Sequence, residues 1–480
     1  LGNALKELNK PNEAEASYRQ AIELKADLVE AHNNLGNTLK ELNRSNEAEV
    51  SYRQVIALNP DYAAAHNNLG VTLKEQNKPE AAEASYRQAI VLKPDYAEAY
   101  NNLGVTLQES ARLNEAEAIY RQAIALKPDY SDVHNNLGVA LEELARFDEA
   151  EASYRRAVTL KPNSAEIYIN LGSVLKGKGK LEEAVATYAK ALSINPDYPG
   201  GYHNLGTVLR EQGKLEEAIE VFDRSKNRGP IAEALECLYY LENYKEFNLR
   251  LDSISKTDPS NIRVAAISAF AAHQLQQKDT YPFCSNAIEL VKTSHIKNHV
   301  SDSDDFIDSI LDEMNKKNTI WEPLRKTTKG GFQTNGNIFS NSSNNVKYLE
   351  ETIRKELCRF KYEFKENGGT LFQKWPDEIK INAWYVRMLK SGHQDSHIHA
   401  DGWVSGVFYL KTVESPIQHE GAIEFGLHGY GYPVKNKDYP RRIHQPNKGD
   451  LVLFPSSLFH RTIPIIKDVE RCVIAFDLVN

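Results

Sequence analysis

Seven of the fourteen histidines in this 480-residue sequence fall between residues 393 and 460. The densest run is Gly392-His-Gln-Asp-Ser-His-Ile-His-Ala-Asp-Gly402, in which His393, Asp395, His397, His399 and Asp401 all carry odd numbers. An extended strand puts alternate residues on one face, so the run offers imidazole and carboxylate groups side by side. His460 closes Gly449-Asp-Leu-Val-Leu-Phe-Pro-Ser-Ser-Leu-Phe-His460, and Arg471 follows it. Imidazole and carboxylate together are the donor set of a divalent metal such as iron, manganese or zinc. A guanidinium nearby suits a carboxylate-bearing ligand, which it binds through two parallel hydrogen bonds. One histidine in a strand is usually a core or surface residue, but a cluster joined by a distal His and Arg makes that reading the weaker one.

Such groups need strands to hold them. From residue 379 the chain supplies β-branched and aromatic runs at 379–389, 404–413, 422–427, 450–454 and 472–479, bounded by Gly, Pro and Asp. Strands of this length without intervening helices predict an antiparallel sandwich or jelly roll. Gly429-Tyr-Gly-Tyr432 is too short for a phosphate loop and lacks the strand–helix context of one, so no nucleotide site is assigned.

The runs HIHADGWVSGVFYLK, GDLVLFPSSLFHRTIP and ERCVIAFDL resemble the Fe(II)/2-oxoglutarate-dependent dioxygenases, over roughly residues 321–480. The resemblance implies a double-stranded β-helix, Fe(II) as metal and 2-oxoglutarate as co-substrate. It makes His397, His399, Asp401 and His460 the working metal set. A carboxylate-containing triad would be His399, Asp401 and His460. The family alignment instead puts His397 first and His399 where the acid usually sits, as in the aspartyl/asparaginyl β-hydroxylases. His393 with Asp395 is a third choice. Arg471 would hold the far carboxylate of 2-oxoglutarate, while Tyr409, Trp384 and Arg387 line the barrel near it. No catalytic group beyond these ligands is expected.

The first half of the chain has a different logic. Leu-Gly recurs at 1, 35, 69, 103, 137, 171 and 205, a step of 34 residues. Ala14, Ala48, Ala82, Ala116, Ala150, Ala184 and Ala218 keep the same phase, as do Tyr18, Tyr52, Tyr86, Tyr120, Tyr154, Tyr188 and Phe222. Small residues let two helices approach, the aromatic fills the groove between them, and Pro60, Pro94, Pro128, Pro162 and Pro196 precede the next pair. This pattern resembles the tetratricopeptide repeat over residues 1–238, which implies an α-solenoid with a concave groove for a protein or peptide. On that template Asn34, Asn68, Asn102, Asn136, Asn170 and Asn204 face the groove. Amides there could grip an extended backbone, although passive duplication of near-identical repeats explains them equally well.

The expected fold is therefore multidomain α and β: a solenoid at 1–238, a helical cap and connector at 239–320, and a jelly roll at 321–480. Residues 301–305 read as a helix start, 327–345 as a long loop and 348–364 as a helix. Residues 1–238 carry 27 basic against 36 acidic side chains, and the remainder 31 against 30, so the net charge of −8 belongs to the solenoid. That acidity excludes a general nucleic-acid binder and favours a neutral or basic peptide. No apolar run is long enough to span a membrane. Cys237, Cys284, Cys358 and Cys472 lie far apart and read as buried free thiols, which favours the cytoplasm; the first residue is Leu1, so a leader could precede it. The functional expectation is a dioxygenase that hydroxylates a protein or peptide recruited by the repeats. The rival is a non-catalytic repeat scaffold carrying a vestigial oxygenase-like domain.

Overall fold

The computed structural model describes residues 1–225, 230–323, 326–340, 342–367 and 369–479. It divides into two compact units, Leu1–Gln212 and Gly213–Asn480. The division falls before the expected boundary at 238.

The first unit is a succession of helix pairs: α1 (Gly2–Glu7) with α2 (Pro11–Leu24), α3 (Val29–Glu41) with α4 (Ser45–Leu58), α5 (Ala63–Glu75) with α6 (Pro79–Leu92) and α7 (Ala97–Glu109) with α8 (Leu113–Leu126). The series continues with α9 (Ser131–Glu143), α10 (Phe147–Leu160), α11 (Ala165–Gly177), α12 (Leu181–Ile194) and α13 (Gly201–Glu211). Each repeat closes on one contact. A Cβ on Gly36, Gly70, Gly104, Gly138 or Gly172 would stand 2.4–2.7 Å from the ring of the tyrosine in the partner helix, so only glycine admits it. Those tyrosines are fully buried, as Tyr52, Tyr86, Tyr120, Tyr154 and Tyr188.

Neighbouring repeats are joined by charge. Glu15, Glu49, Glu83, Glu117 and Glu151 each take a basic side chain from the following repeat: Arg44 (2.6 Å), Lys78 (3.3 Å), Arg112 (2.6 Å), Arg146 (2.5 Å) and Lys180 (2.8 Å). Amides form a second ladder. Asn34 donates to Asn3 (3.1 Å) and Asn68 to Asn37 (3.2 Å), whereas Asn102, Asn136 and Asn170 donate to Asn67, Asn101 and Asn135 (3.0, 2.9 and 3.0 Å). The partner changes because the residue after the repeat glycine is Asn37 in one unit but Val71, Val105 and Val139 in the next three, which leaves no amide at that place.

The second unit opens with α14 (Leu215–Asp223), α15 (Ile231–Tyr240), α16 (Tyr244–Thr257) and α17 (Ile262–Gln274). The remaining helices are α18 (Ser303–Met314), α19 (Asn344–Phe364) and α20 (Thr370–Gln373). Asp302 caps α18 by accepting from the Asp305 N–H (3.3 Å), the helix start expected there. Ten strands follow in one antiparallel, curled sheet: β1 (Lys292–His295), β2 (Thr319–Trp321), β3 (Thr328–Thr334), β4 (Lys380–His397), β5 (Val404–Lys411), β6 (Ile423–Gly426), β7 (Arg441–His444), β8 (Asp450–Pro455), β9 (Phe459–Thr462) and β10 (Arg471–Val479). The strand order is β1-β8-β5-β10-β4-β9-β6-β7, with β3 also on β4 and β2 on β3. The first part of β4 (380–388) pairs with β10, its middle and later part (386–394) with β3, and its last residues with β9, so this one strand turns the sheet into a jelly roll.

Three local expectations change. The supposed loop at 327–345 contains β3; its glycines are there because a Cβ on Gly331 would stand 2.6 Å from the Arg387 carbonyl oxygen of β4. The helical connector gives up Lys292–His295 to the sheet, paired with β8. Cys358 is exposed, while the other three cysteines are free and buried. Among the described residues no helix is long and apolar enough to cross a membrane.

Gly138→Ala must push the Tyr154 ring out of its groove. Overpacking of this kind costs about 1–3 kcal/mol, so the circular-dichroism unfolding midpoint should drop. Ala145 holds a left-handed backbone (φ 58°) at a helix end, and Ala145→Gly should raise the same midpoint.

Candidate metal centre

The odd-number pattern of the histidine run is broken by an irregularity in β4. Gln394 lies opposite Thr462 of β9 and His397 lies opposite His460, so the strand gains a residue between the two pairs. His397 and His460 thus become cross-strand neighbours, while His393 points to the Ser391 carbonyl and Asp395 is exposed. The strand ends at His397. Two residues on, the His399 side chain returns over the sheet to β10, where its Nδ1 lies 2.6 Å from Asp477 Oδ1.

The ligand nitrogens of His397, His399 and His460 all lie within 4.8 Å of one another, a group that could hold a metal ion. Their tautomers follow from what stands behind each ring. His397 Nδ1 donates to the Asp395 carbonyl (2.6 Å), His460 Nδ1 to the Leu458 carbonyl (3.2 Å) and His399 Nδ1 to Asp477. Each Nε2 is therefore left with a bare lone pair. Yet His397 Nε2 and His399 Nε2 face each other at 3.1 Å. Two lone pairs repel at that distance unless a cation lies between them. Adjacent ligands of an ion about 2.1 Å away are about 3 Å apart, so the residues fit a metal.

Electrostatics point the same way. Burial, with the neighbouring His399, pushes His397 down to about 4, and burial with both neighbours holds His460 well below the ordinary histidine range. Both rings are neutral at pH 7, as ligands must be. Apolar rings shield them: Phe454 lies 4.6 Å from His460, and Trp384 lies 5.5 Å from His399.

Asp401 is not in this group. The chain turns at Ala400 and Asp401 after β4 has ended, so alternation no longer applies, and the carboxylate stands exposed at the mouth of the cleft. The acid nearest these histidines is Asp477, one step back: it accepts from His399 and from the Ser405 hydroxyl (2.7 Å), and Ser405 meets Ser456 (2.8 Å). A carboxylate behind a ligating histidine fixes its tautomer and raises its basicity. Sequence reading missed Asp477, although an acid within the apolar run Val473-Ile-Ala-Phe-Asp-Leu-Val479 was a signal that it must have a buried partner.

Arg471 is 2% exposed, and among the described residues no carboxylate pairs with it. Its Nε donates to the Gly421 carbonyl (3.1 Å), Nη2 reaches the Tyr409 hydroxyl (3.4 Å), and the guanidinium lies over the Tyr409 ring (5.1 Å). A buried cation without an anion is costly, and a carboxylate-bearing ligand would complete it. Arg387 does not share this task, being ion-paired with Glu470. Trp384 lines a cleft of ≈ 600 Å³ together with His397, His399, Asp401, Gln394 and Tyr430.

Asp477→Asn should weaken Fe(II) or Co(II) binding about 10- to 100-fold in anaerobic equilibrium dialysis, while Asp401→Ala leaves it unchanged. The metal-free chain should also lose stability as pH falls. Unfolded histidine takes its proton near 6.5 and folded His397 only near 4, so between these values the unfolded state binds more protons. The thermal midpoint should therefore decline over that window, and decline less in His397→Gln.

Residues 2–43, 36–77 and 72–110 match the TPR repeat family, and residues 101–165 and 163–228 match two further tetratricopeptide repeat families. Residues 382–477 match the family described as "Putative 2OG-Fe(II) oxygenase". Among solved structures, MamA is 27% identical over 34% of this chain and 95% of its own, with a TM-score of 0.32. YrrB, described as a TPR protein with an unusual peptide-binding site, is 21% identical over 39% of this chain and 96% of its own, with a TM-score of 0.34. TTC0263, a thermophilic TPR protein of Thermus thermophilus, is 25% identical over 38% of this chain and 99% of its own, with a TM-score of 0.32. No curated protein matches the chain. The N-terminal region is thus an array of tetratricopeptide repeats, and residues 382–477 are similar to the family described as putative 2OG-Fe(II) oxygenase.

Proposed function

We propose that this chain is an Fe(II)- and 2-oxoglutarate-dependent hydroxylase acting on a protein or peptide recruited by its repeats. The observation that carries the reading is the pairing of two incomplete charge sites in one barrel: three imidazole nitrogens that converge, and a buried guanidinium that pairs with no carboxylate among the described residues.

His397, His399 and His460 would hold the metal, and Asp477 would hold His399 in its ligating tautomer. Arg471, steadied by Tyr409, would bind the far carboxylate of 2-oxoglutarate, a charge-assisted pair strengthened by the burial of the guanidinium. When bound, Fe(II) and 2-oxoglutarate supply the reduction of O₂, one oxygen atom passing to succinate, with release of CO₂, and the other to a substrate C–H as a hydroxyl group. Phe425, Phe454 and Trp384 keep solvent from the histidines, which protects such a reaction from side chemistry.

For recruitment, Asn34, Asn68, Asn102, Asn136 and Asn170 each have one amide N–H fixed by a neighbouring repeat. Amides held in this way are pre-oriented, and their remaining donors and acceptors, with those of Asn204, would bind a peptide backbone at low entropic cost. The excess of acidic residues in this half favours a neutral or basic segment.

Anaerobic addition of Fe(II) and 2-oxoglutarate should produce a visible charge-transfer absorption, and admission of air with a peptide pool should release succinate and yield +16 Da products by mass spectrometry. Arg471→Ala should raise the KM for 2-oxoglutarate at least tenfold, and His460→Ala should abolish the absorption, both with unchanged peptide binding. A wild-type chain that binds peptides but shows neither absorption nor succinate would identify a scaffold instead.

A further inference from the structure

Gly429-Tyr-Gly-Tyr432 lies in the connection between β6 and β7. Tyr430 has φ 49° and Gly431 φ 71°, both left-handed. A Cβ on Gly429 would stand 2.0 Å from the ring of Phe459, the neighbour of His460. Left-handed backbone at a tyrosine is disfavoured and persists only where the surroundings impose it, most often at functional sites.

What imposes it comes from the helices ahead of the sheet. The buried Tyr432 hydroxyl donates to Glu236 (2.9 Å) of α15. Glu236 (2.8 Å) and Glu233 (2.5 Å) both hold Arg263 of α17, whose guanidinium lies over the Tyr430 ring at 5.1 Å. The Tyr240 hydroxyl donates to the Gly431 carbonyl (2.9 Å). Gln274 accepts from the N–H groups of Lys435 and Asn436 (2.8 Å each) and donates to the Asn436 carbonyl (2.9 Å). A segment between two four-residue strands is thus fastened by side chains from a different part of the sequence.

The tyrosine so placed is not a core residue. Tyr430 meets Phe459 edge-on (5.1 Å), remains 43% exposed and lines the same cleft as His397 and His399. Elsewhere that cleft presents the amides of Gln333, Asn335, Asn382 and Gln394, which can both donate to and accept from a peptide backbone, together with Lys326, Asp401 and Asp477.

We propose that Tyr430 contacts the substrate in the histidine-lined cleft, that the group it receives is a peptide segment, and that α15–α17 are the mount that holds it there. The contact rests on the hydroxylase reading above; the mount does not. Gln274 and Tyr432 act through Tyr430 and are positioning residues.

Two experiments on the full chain test this. In peptide-stimulated succinate release with a random-sequence peptide pool, Tyr430→Ala should raise the apparent KM for peptide about tenfold or more, with kcat falling less, and Tyr430→Phe should restore most of it. The Fe(II)/2-oxoglutarate absorption should persist in both. Unchanged peptide kinetics in Tyr430→Ala would overturn the contact. Separately, Gln274→Ala and Tyr432→Phe should speed amide hydrogen exchange across residues 429–436 without disturbing that of β4. Unchanged exchange in both would overturn the mount. If the wild-type chain shows no absorption, the hydroxylase reading falls and the contact with it, and the exchange result still decides the mount.

Discussion

Everything in the second unit depends on one strand belonging to two pairings at once. β4 runs for eighteen residues and changes partner from β10 and β3 to β9 along its length. The extra residue between Gln394 and His397 changes which side chains face inward, and it does so just before the histidines. Without it His397 would not stand opposite His460. The end of the same strand releases the chain so that His399 can reach back to Asp477, which is itself opposite Asn382 near the start of β4.

The two unfinished charge sites explain why such a barrel tolerates them. Converging imidazoles, two of them with Nε2 atoms face to face, and a guanidinium that pairs with no carboxylate among the described residues are each unfavourable in an apolar interior. The surrounding hydrogen bonds fix their orientation, and the three histidines could hold a metal ion. The acid behind the cluster is Asp477, hydrogen-bonded to the ring nitrogen of His399 that faces away from the other two histidines.

The repeat was plain in the sequence because a 34-residue step repeats its packing rule in every unit, and the glycine–tyrosine contact shows why those two positions cannot drift. The histidine cluster was equally plain, because residue type alone carries that information. What could not be read depended on pairing. Asp401 looked like a ligand by strand alternation, which a bulge and a turn interrupt. Asp477 looked like part of a core strand. Gly330 and Gly331 read as loop glycines, and their reason is the backbone of β4. β7 is Arg-Arg-Ile-His with three exposed residues, an edge strand without the apolar signature of a strand. Gly429-Tyr-Gly-Tyr432 could be set aside as a phosphate loop, but its partners in α15 and α17 lie more than 150 residues away in sequence.

The change of amide partner in the first unit divides an array that is otherwise repetitive. Asn37 Oδ1 receives both the Tyr52 hydroxyl (2.8 Å) and the Asn68 amide, whereas beyond Val71 the tyrosines find other acceptors, such as Gln108 for Tyr120 (3.0 Å). Replacing one asparagine by valine has therefore rewired two hydrogen bonds per repeat. The array has a fault line between its early and later units, much like a boundary between two crystal domains. An extended chain laid along these amides would meet one hydrogen-bond arrangement before Val71 and another after it, so its possible registers would no longer be equivalent.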